Sequence, residues 1–572
     1  MFAPLLSILH GMHLRRPAFS VATRLALTLS VIPVSAGIGL GGCTGSISAA
    51  GSGTGSGGGG GGATAGGPLL PARIRRLTNA EYDATVQVLL GTTQAPSTTF
   101  PPDARQGSFT LNDAQRVDPV LAKQLDVAAQ ALVTEARGNG KLAALAACGA
   151  GALGEACATD FINSFGARAY RRPLAADETA ALVAVYHVGA DGATHDEGID
   201  LVTRAMLQSA AFMYVTELGD PPPAGAPAPA KIALNASETA AALSYTMAAG
   251  PPDQPLLDAA GAGALATADG REQQARRLLA LPGGHARVVR LVREWFGVDR
   301  IADTAKDSTV YPGFAAVKPS MDAESVAFID EVVSRGAGTV GELLGADWTI
   351  ADGPLASVYG VASAGAGRTS LAAVGRRGLL NQGAFLSVYA HASETAPVLR
   401  GVAIMRRVAC LPLKSPTELN IMVTPPLPDP TKTTRERLDV HATDTLCRSC
   451  HKSIDGFGFA FEGYDGMGAA RAMDSGHPVD STTTVATGND FDGSYADSNA
   501  LAAAMSTSAD VRTCAARQIF RGSAGRSDDS AAGAETTFID VWKTLPGDAQ
   551  GNLVETLIAY VRSPGFVERS AP

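Results

Sequence analysis

The chain predicts an all-α, mainly helical protein made of several consecutive helical modules, and three observations predict it. Capping-box pairs recur ahead of apolar residues at helical spacing, strand signals are confined to short stretches such as residues 348–350, and 46% apolar content suffices for substantial cores. Thr78 with Glu81 opens a helix on which Tyr82, Val86, Leu89 and Leu90 share a face, and Gly91 ends it. Asn235 with Glu238 opens an Ala-rich helix halted at Gly250 and Pro251. Val288, Val289, Leu291, Val292, Trp295 and Phe296 line another, and residues 320–336 form one more. Asn552 with Glu555 begins a last helix whose Leu557, Ile558 and Val561 face inward before Pro564 stops it.

Ahead of this folded part lies a leader. Arg15, Arg16 and Arg24 precede an apolar run, residues 25–40, that ends at Leu40, Gly41, Gly42 and Cys43. This is the layout of a lipoprotein signal whose cysteine becomes the acylated first residue, with Met12 a better start than Met1. A plain transmembrane anchor fits less well, because Pro33 interrupts a run already short of the ~20 residues a span requires. Residues 44–67 are nearly all Gly, Ser, Ala and Thr, which cannot bury enough apolar surface to offset ordering entropy. A flexible tether reaching on the order of 25–30 Å is expected. Pro-rich breaks at 221–229 and 412–430 then divide the chain into N-terminal helical modules (68–220), central helical modules (231–411), a C-terminal block at 431–490 and a last helical module at 491–572.

The net charge of −9 and the absence of a long basic run exclude nucleic-acid binding through counterion release. The sequence holds no nucleophile triad, no phosphate loop ending in Lys-Ser and no H-E-x-x-H, so hydrolytic or ATP-driven chemistry lacks residues to carry it.

The strongest chemical signal is Cys447-Arg448-Ser449-Cys450-His451. C-x-x-C-H is the arrangement that attaches haem through two thioethers and ligates its iron through the adjacent imidazole. With seven Cys and nine His in 572 residues, chance would produce it in roughly one such chain per thousand. A redox disulfide normally follows a strand in a βαβ unit, whereas residues 433–446 are polar and helix-like. A zinc site needs four ligands, and no second C-x-x-C or H-x-x-x-H lies nearby. The expected cofactor is one covalent haem c. Setting aside Cys43, Cys447 and Cys450 leaves Cys148, Cys157, Cys410 and Cys514, an even four that an exported protein would oxidise in pairs. Cys148 and Cys157 bracket a Gly/Ala loop and pair most simply with each other, leaving Cys410 with Cys514.

The order of motifs also resembles a known family. Residues 76–82 (Arg-Leu-Thr-Asn-Ala-Glu-Tyr) and 165–174 are similar to the first two modules of the planctomycete-type multidomain cytochrome c-like proteins, whose domains have no assigned function. Asp347-Trp348-Thr349-Ile350 with residues 355–360, residues 377–383, and Ala396-Pro397-Val398-Leu399-Arg400-Gly401 resemble successive further modules. Cys447 to His451 then leads into Asp455-Gly456-Phe457-Gly458-Phe459 and residues 462–468, the block that in the family carries the haem-attachment motif. The chain departs at Gly456, where the family has Pro, and at Ala396, where it has Ser; both changes are expected to loosen the local backbone.

The resemblance names an architecture more firmly than a reaction. His451 should supply one axial nitrogen; the opposite ligand is open among His391, Met467, Met473, Met505 and an unfilled position, with Met505 also reading as a core residue. Arg471 is a candidate partner for a haem propionate. A saturated iron passes electrons and an open one does chemistry. The expected function is therefore a membrane-tethered, exported c-type cytochrome-like protein passing electrons to an exported redox partner. A haem-dependent peroxidase or oxidative dehydrogenase, or a surface scaffold with structural haem, is the alternative.

Overall fold

The computed structural model describes residues 69–148, 153–227, 229–420, 422, 429–439, 445–526 and 532–571. The leader 1–43 with Cys43, the tether 44–67 and part of the Pro-rich stretch 412–430 lie outside the described residues. Helices dominate, and strands occur among the described residues only as five antiparallel pairs.

The capping signals act as written. Thr78 accepts from Glu81 N while Glu81 accepts from Thr78 N at 2.9 Å, and the helix Asn79–Leu90 closes at Gly91, whose φ of 66° suits glycine. The Asn235–Glu238 pair opens Ala236–Ala248, and the Glu238 carboxylate also accepts from Leu218 N and Gly219 N at 2.8 Å each, fastening the incoming loop to the helix start. Asn552 caps Leu553–Arg562. Pro564 does more than stop that helix: it occupies the first turn of a short helix, Pro564–Val567.

Two boundaries differ from expectation. The helix read at 320–336 starts earlier, as Phe314–Ser334, with Pro319 inside it. Buried Phe314, Val317 and Met321 tie its first turns to the core, and that packing overrides the hydrogen bond Pro319 cannot donate. Residues 433–446 yield a short helix, Thr434–Leu438, capped by Thr433 and Glu436, and a separate helix, Thr445–Gly458, that bears the cysteine motif.

One cluster of buried apolar side chains runs from Leu70 to Phe566, and a second gathers residues between Tyr82 and Met213. The early and late ends of the described chain meet. Arg73–Arg76 pairs with Tyr214–Glu217, Lys231–Ala233 pairs with Glu568–Ser570, and Pro71 bridges to Ser570. Their junction is an ion triad in which Glu217, only 3% exposed, accepts from Arg73 at 2.9 Å and Arg569 at 2.7 Å.

Burial alone would raise the Glu217 carboxyl, but Arg569 and Arg73 outweigh it and hold the group well below the 4.5 of an unperturbed glutamate. Because the folded pKa is depressed, the triad's contribution is complete above the unfolded value of 4.5 and is lost as pH falls from there toward the folded pKa. Glu217→Gln leaves the buried Arg569 guanidinium without a carboxylate and Arg73 with Asp113 alone, at 3.1 Å. The expected loss is about 3–5 kcal/mol at neutral pH, read as an earlier urea midpoint, together with a flatter decline of stability in acid; an unchanged midpoint contradicts the triad's role.

Candidate functional site

Helix Thr445–Gly458 carries Cys447, Cys450 and His451 within little more than one turn. Both cysteines are thiols and partly buried, and Cys450 packs against the main core. The His451 Nδ1–H donates to Asp455 Oδ1 at 3.2 Å, one turn further along the same helix, with the two side chains 18% and 16% exposed. A carboxylate on Nδ1 fixes the ring orientation.

The helix is held by backbone contact. Helix Pro397–Arg407 crosses it so closely that a Cβ on Gly401 would collide with the Ile454 carbonyl and one on Gly458 with the Pro397 carbonyl. On another side a Cβ at Gly456 would come within 2.7 Å of the Thr484 carbonyl oxygen, and Thr483 Oγ1 donates to the Gly456 carbonyl at 2.7 Å. Gly456 thus tightens the packing of this turn, contrary to the looseness expected from its departure from the family pattern.

The chain leaving the helix is clamped by two buried arginines. Arg400, fully buried, donates to the carbonyls of Phe461 (3.0 Å), Tyr464 (3.3 Å), Leu386 (3.2 Å) and Asp465 (2.9 Å), and lies 3.8 Å from Glu462. Burial lowers its guanidinium to about 10 despite that carboxylate. Arg376 donates to the carbonyls of Asn381 and Gly468, both at 2.7 Å, and lies between the rings of Tyr359 and Tyr464 at 4.0 and 4.4 Å. Asp465 Oδ1 accepts from Met467 N and Ala469 N, and Tyr311 Oη accepts from Gly466 N, completing a rigid turn.

Four family models match in series: PSD3 (protein of unknown function, DUF1587) at residues 75–138, PSD5 (DUF1595) at 157–217, PSD4 (DUF1592) at 234–361 and PSCyt3 (DUF1588) at 376–474. The chain carries the domain series of the planctomycete cytochrome c-like multidomain family. No curated protein and no solved structure matched it. The PSCyt3 segment contains both clamp arginines, the cysteine motif and Asp455, while Tyr311 and Tyr359 come from the PSD4 segment and Thr483 and Thr484 lie beyond residue 474.

The other expected site residues are distributed as follows. Arg471 directs its guanidinium at Glu462 (2.7 Å), Asp474 (3.3 Å) and the Glu462 carbonyl (2.8 Å). Burial raises the Glu462 carboxyl even so. Met505 is fully buried in the core with Leu501 and Val511, Met467 is partly buried against that core, and Met473 is 53% exposed on a two-residue strand. His391 is exposed, in a turn whose Ala390 and His391 carbonyls accept from Lys306. Cys148 is joined to Cys157 and Cys410 to Cys514, with Cα separations of 5.7 and 5.4 Å. Asp455, Gly401, Gly458 and the clamp roles of Arg376 and Arg400 were missed. The i,i+4 spacing of His451 and Asp455 was the available signal.

Arg400→Leu removes the donor to four buried carbonyls. An expected cost of about 3 kcal/mol in chemical denaturation follows, and a variant as stable as the wild type would contradict the clamp.

Proposed function

We propose that this is an exported c-type cytochrome-like protein that binds one covalent haem at Cys447, Cys450 and His451 and transfers electrons. The observation that carries the reading is the donor set. Two partly buried thiols and a carboxylate-oriented imidazole share one turn of a helix whose position is fixed by glycine contacts. This set fits haem c: Cys447 and Cys450 offer the two sulfurs for thioethers, and His451 offers Nε2. A bound haem supplies one-electron redox chemistry. The protein's part is to keep the imidazole from rotating through Asp455, to limit water at the half-buried thiols, and to hold the following turn still through Arg400 and Arg376, so that little reorganisation accompanies a change of charge. The name PSCyt3 agrees with a cytochrome-like module.

Export supports the same reading, since haem c attachment and paired cysteines both suit an oxidising compartment. Cys43 would carry the lipid and residues 44–67 the tether, leaving the folded part beside a membrane. Among the described residues no helix is long and apolar enough to cross one. The partner is an exported redox protein.

Co-expression with a haem c maturation apparatus should give coloured protein whose pyridine derivative has the c-type spectrum and keeps its haem in acidified acetone. Cys447→Ala with Cys450→Ala should abolish that retention. Colourless wild-type protein, or haem extracted by the solvent, would overturn the reading. Cys43→Ser should shift the mature chain from membrane pellet to supernatant; continued pelleting would contradict the lipid anchor.

A further inference from the structure

A cleft of about 840 Å³ runs along the flank of the motif helix, walled by Arg435, Arg448, Lys452, Phe459 and Tyr495. Its charged lining comprises Arg435, Arg448 and Lys452 against Asp439 and Asp455. Two of these five charges are already engaged. Arg435 donates to the Asp480 and Thr482 carbonyls and stacks over Phe459 at 4.3 Å, while Asp455 holds His451. Arg448 and Lys452 differ: both are exposed, they sit at i,i+4 on one helix face, and among the described residues neither forms an ion pair. Asp439, exposed at the rim, is the remaining acid.

We propose that this cleft docks an acidic polypeptide segment of the redox partner, with Arg448 and Lys452 as its anchors; the proposal rests on the haem reading above. Charge complementarity favours this occupant. On a chain of net charge −9, an acidic partner is repelled overall and drawn to this helix face, where two exposed cations form no ion pair among the described residues. The spacing also fits a polypeptide. Side chains at i,i+4 start about 5–6 Å apart, and alternate carboxylates on an extended strand are about 7 Å apart, a difference that flexible Arg and Lys stems absorb. Phe459 and Tyr495 offer apolar wall to the segment between its charges. Asp455 lines this cleft and orients His451, so a segment seated here lies against the helix that presents the haem ligands.

The test compares wild type, Arg448→Glu with Lys452→Glu, and a control of equal charge change at two exposed lysines elsewhere, Lys123→Glu with Lys543→Glu. Holoprotein is oxidised by ferricyanide, an anion, and by tris(phenanthroline)cobalt(III), a cation, at low and high salt. The cleft variant should react ~10-fold more slowly with ferricyanide and faster with the cobalt complex, both effects collapsing in high salt, while the control changes far less. Equal behaviour of the two variants would overturn the proposal. A hexaglutamate titration by calorimetry at low salt, which needs no haem, should give saturable binding to the wild type and the control and none to the cleft variant. Equal binding by all three refutes the cleft, whereas absence of a haemochrome refutes the proposed function instead.

Discussion

The arrangement depends on a backbone-to-backbone helix crossing. Helix Pro397–Arg407 meets the motif helix where Gly401 faces the Ile454 carbonyl and Gly458 faces the Pro397 carbonyl, and no side chain can stand between them. Interiors are close-packed, so a contact made without side chains admits little sliding. The crossing sets where Cys447, Cys450 and His451 project. It also brings Arg400, next to Gly401, under the turn that follows the motif, so one short segment supplies both the groove and the clamp.

Buried arginines recur as joints throughout the described chain. Arg171 donates to the carbonyls of Ala211, Phe212 and Tyr214, Arg271 to those of Leu265, Ala266, Val561 and Arg562, and Arg376 and Arg400 do the same around the candidate site. A chain with 64 glycines and only 6% aromatic residues has few large side chains with which to lock irregular segments. A planar fork with five donors can satisfy several orphan carbonyls at once, which lysine cannot. The cost of burying the charge is visible in the lowered Arg400 value of about 10.

Local signals were legible in the sequence, and long-range ones were not. Thr78 with Glu81, Asn235 with Glu238 and Asn552 with Glu555 announce helix starts because a cap depends on residues three apart. The start of the helix containing Pro319 depends on where Phe314 and Met321 are buried, which no local rule contains. The clustering of Cys447, Cys450 and His451 is legible because the three fall within little more than one helical turn. Arg400 was quoted as part of a motif, yet its four carbonyl partners lie up to 65 residues away. Gly456 misled for the same reason, since the strand residue Thr484 that crowds it is distant in sequence.

The central claim is that the clamped helix presents its two thiols to one porphyrin. Peptide mass spectrometry on the mature protein tests it most directly. A proteolytic fragment containing Cys447, Cys450 and His451 and heavier by one haem is expected. That fragment unmodified, or carrying a Cys447–Cys450 disulfide, would contradict it.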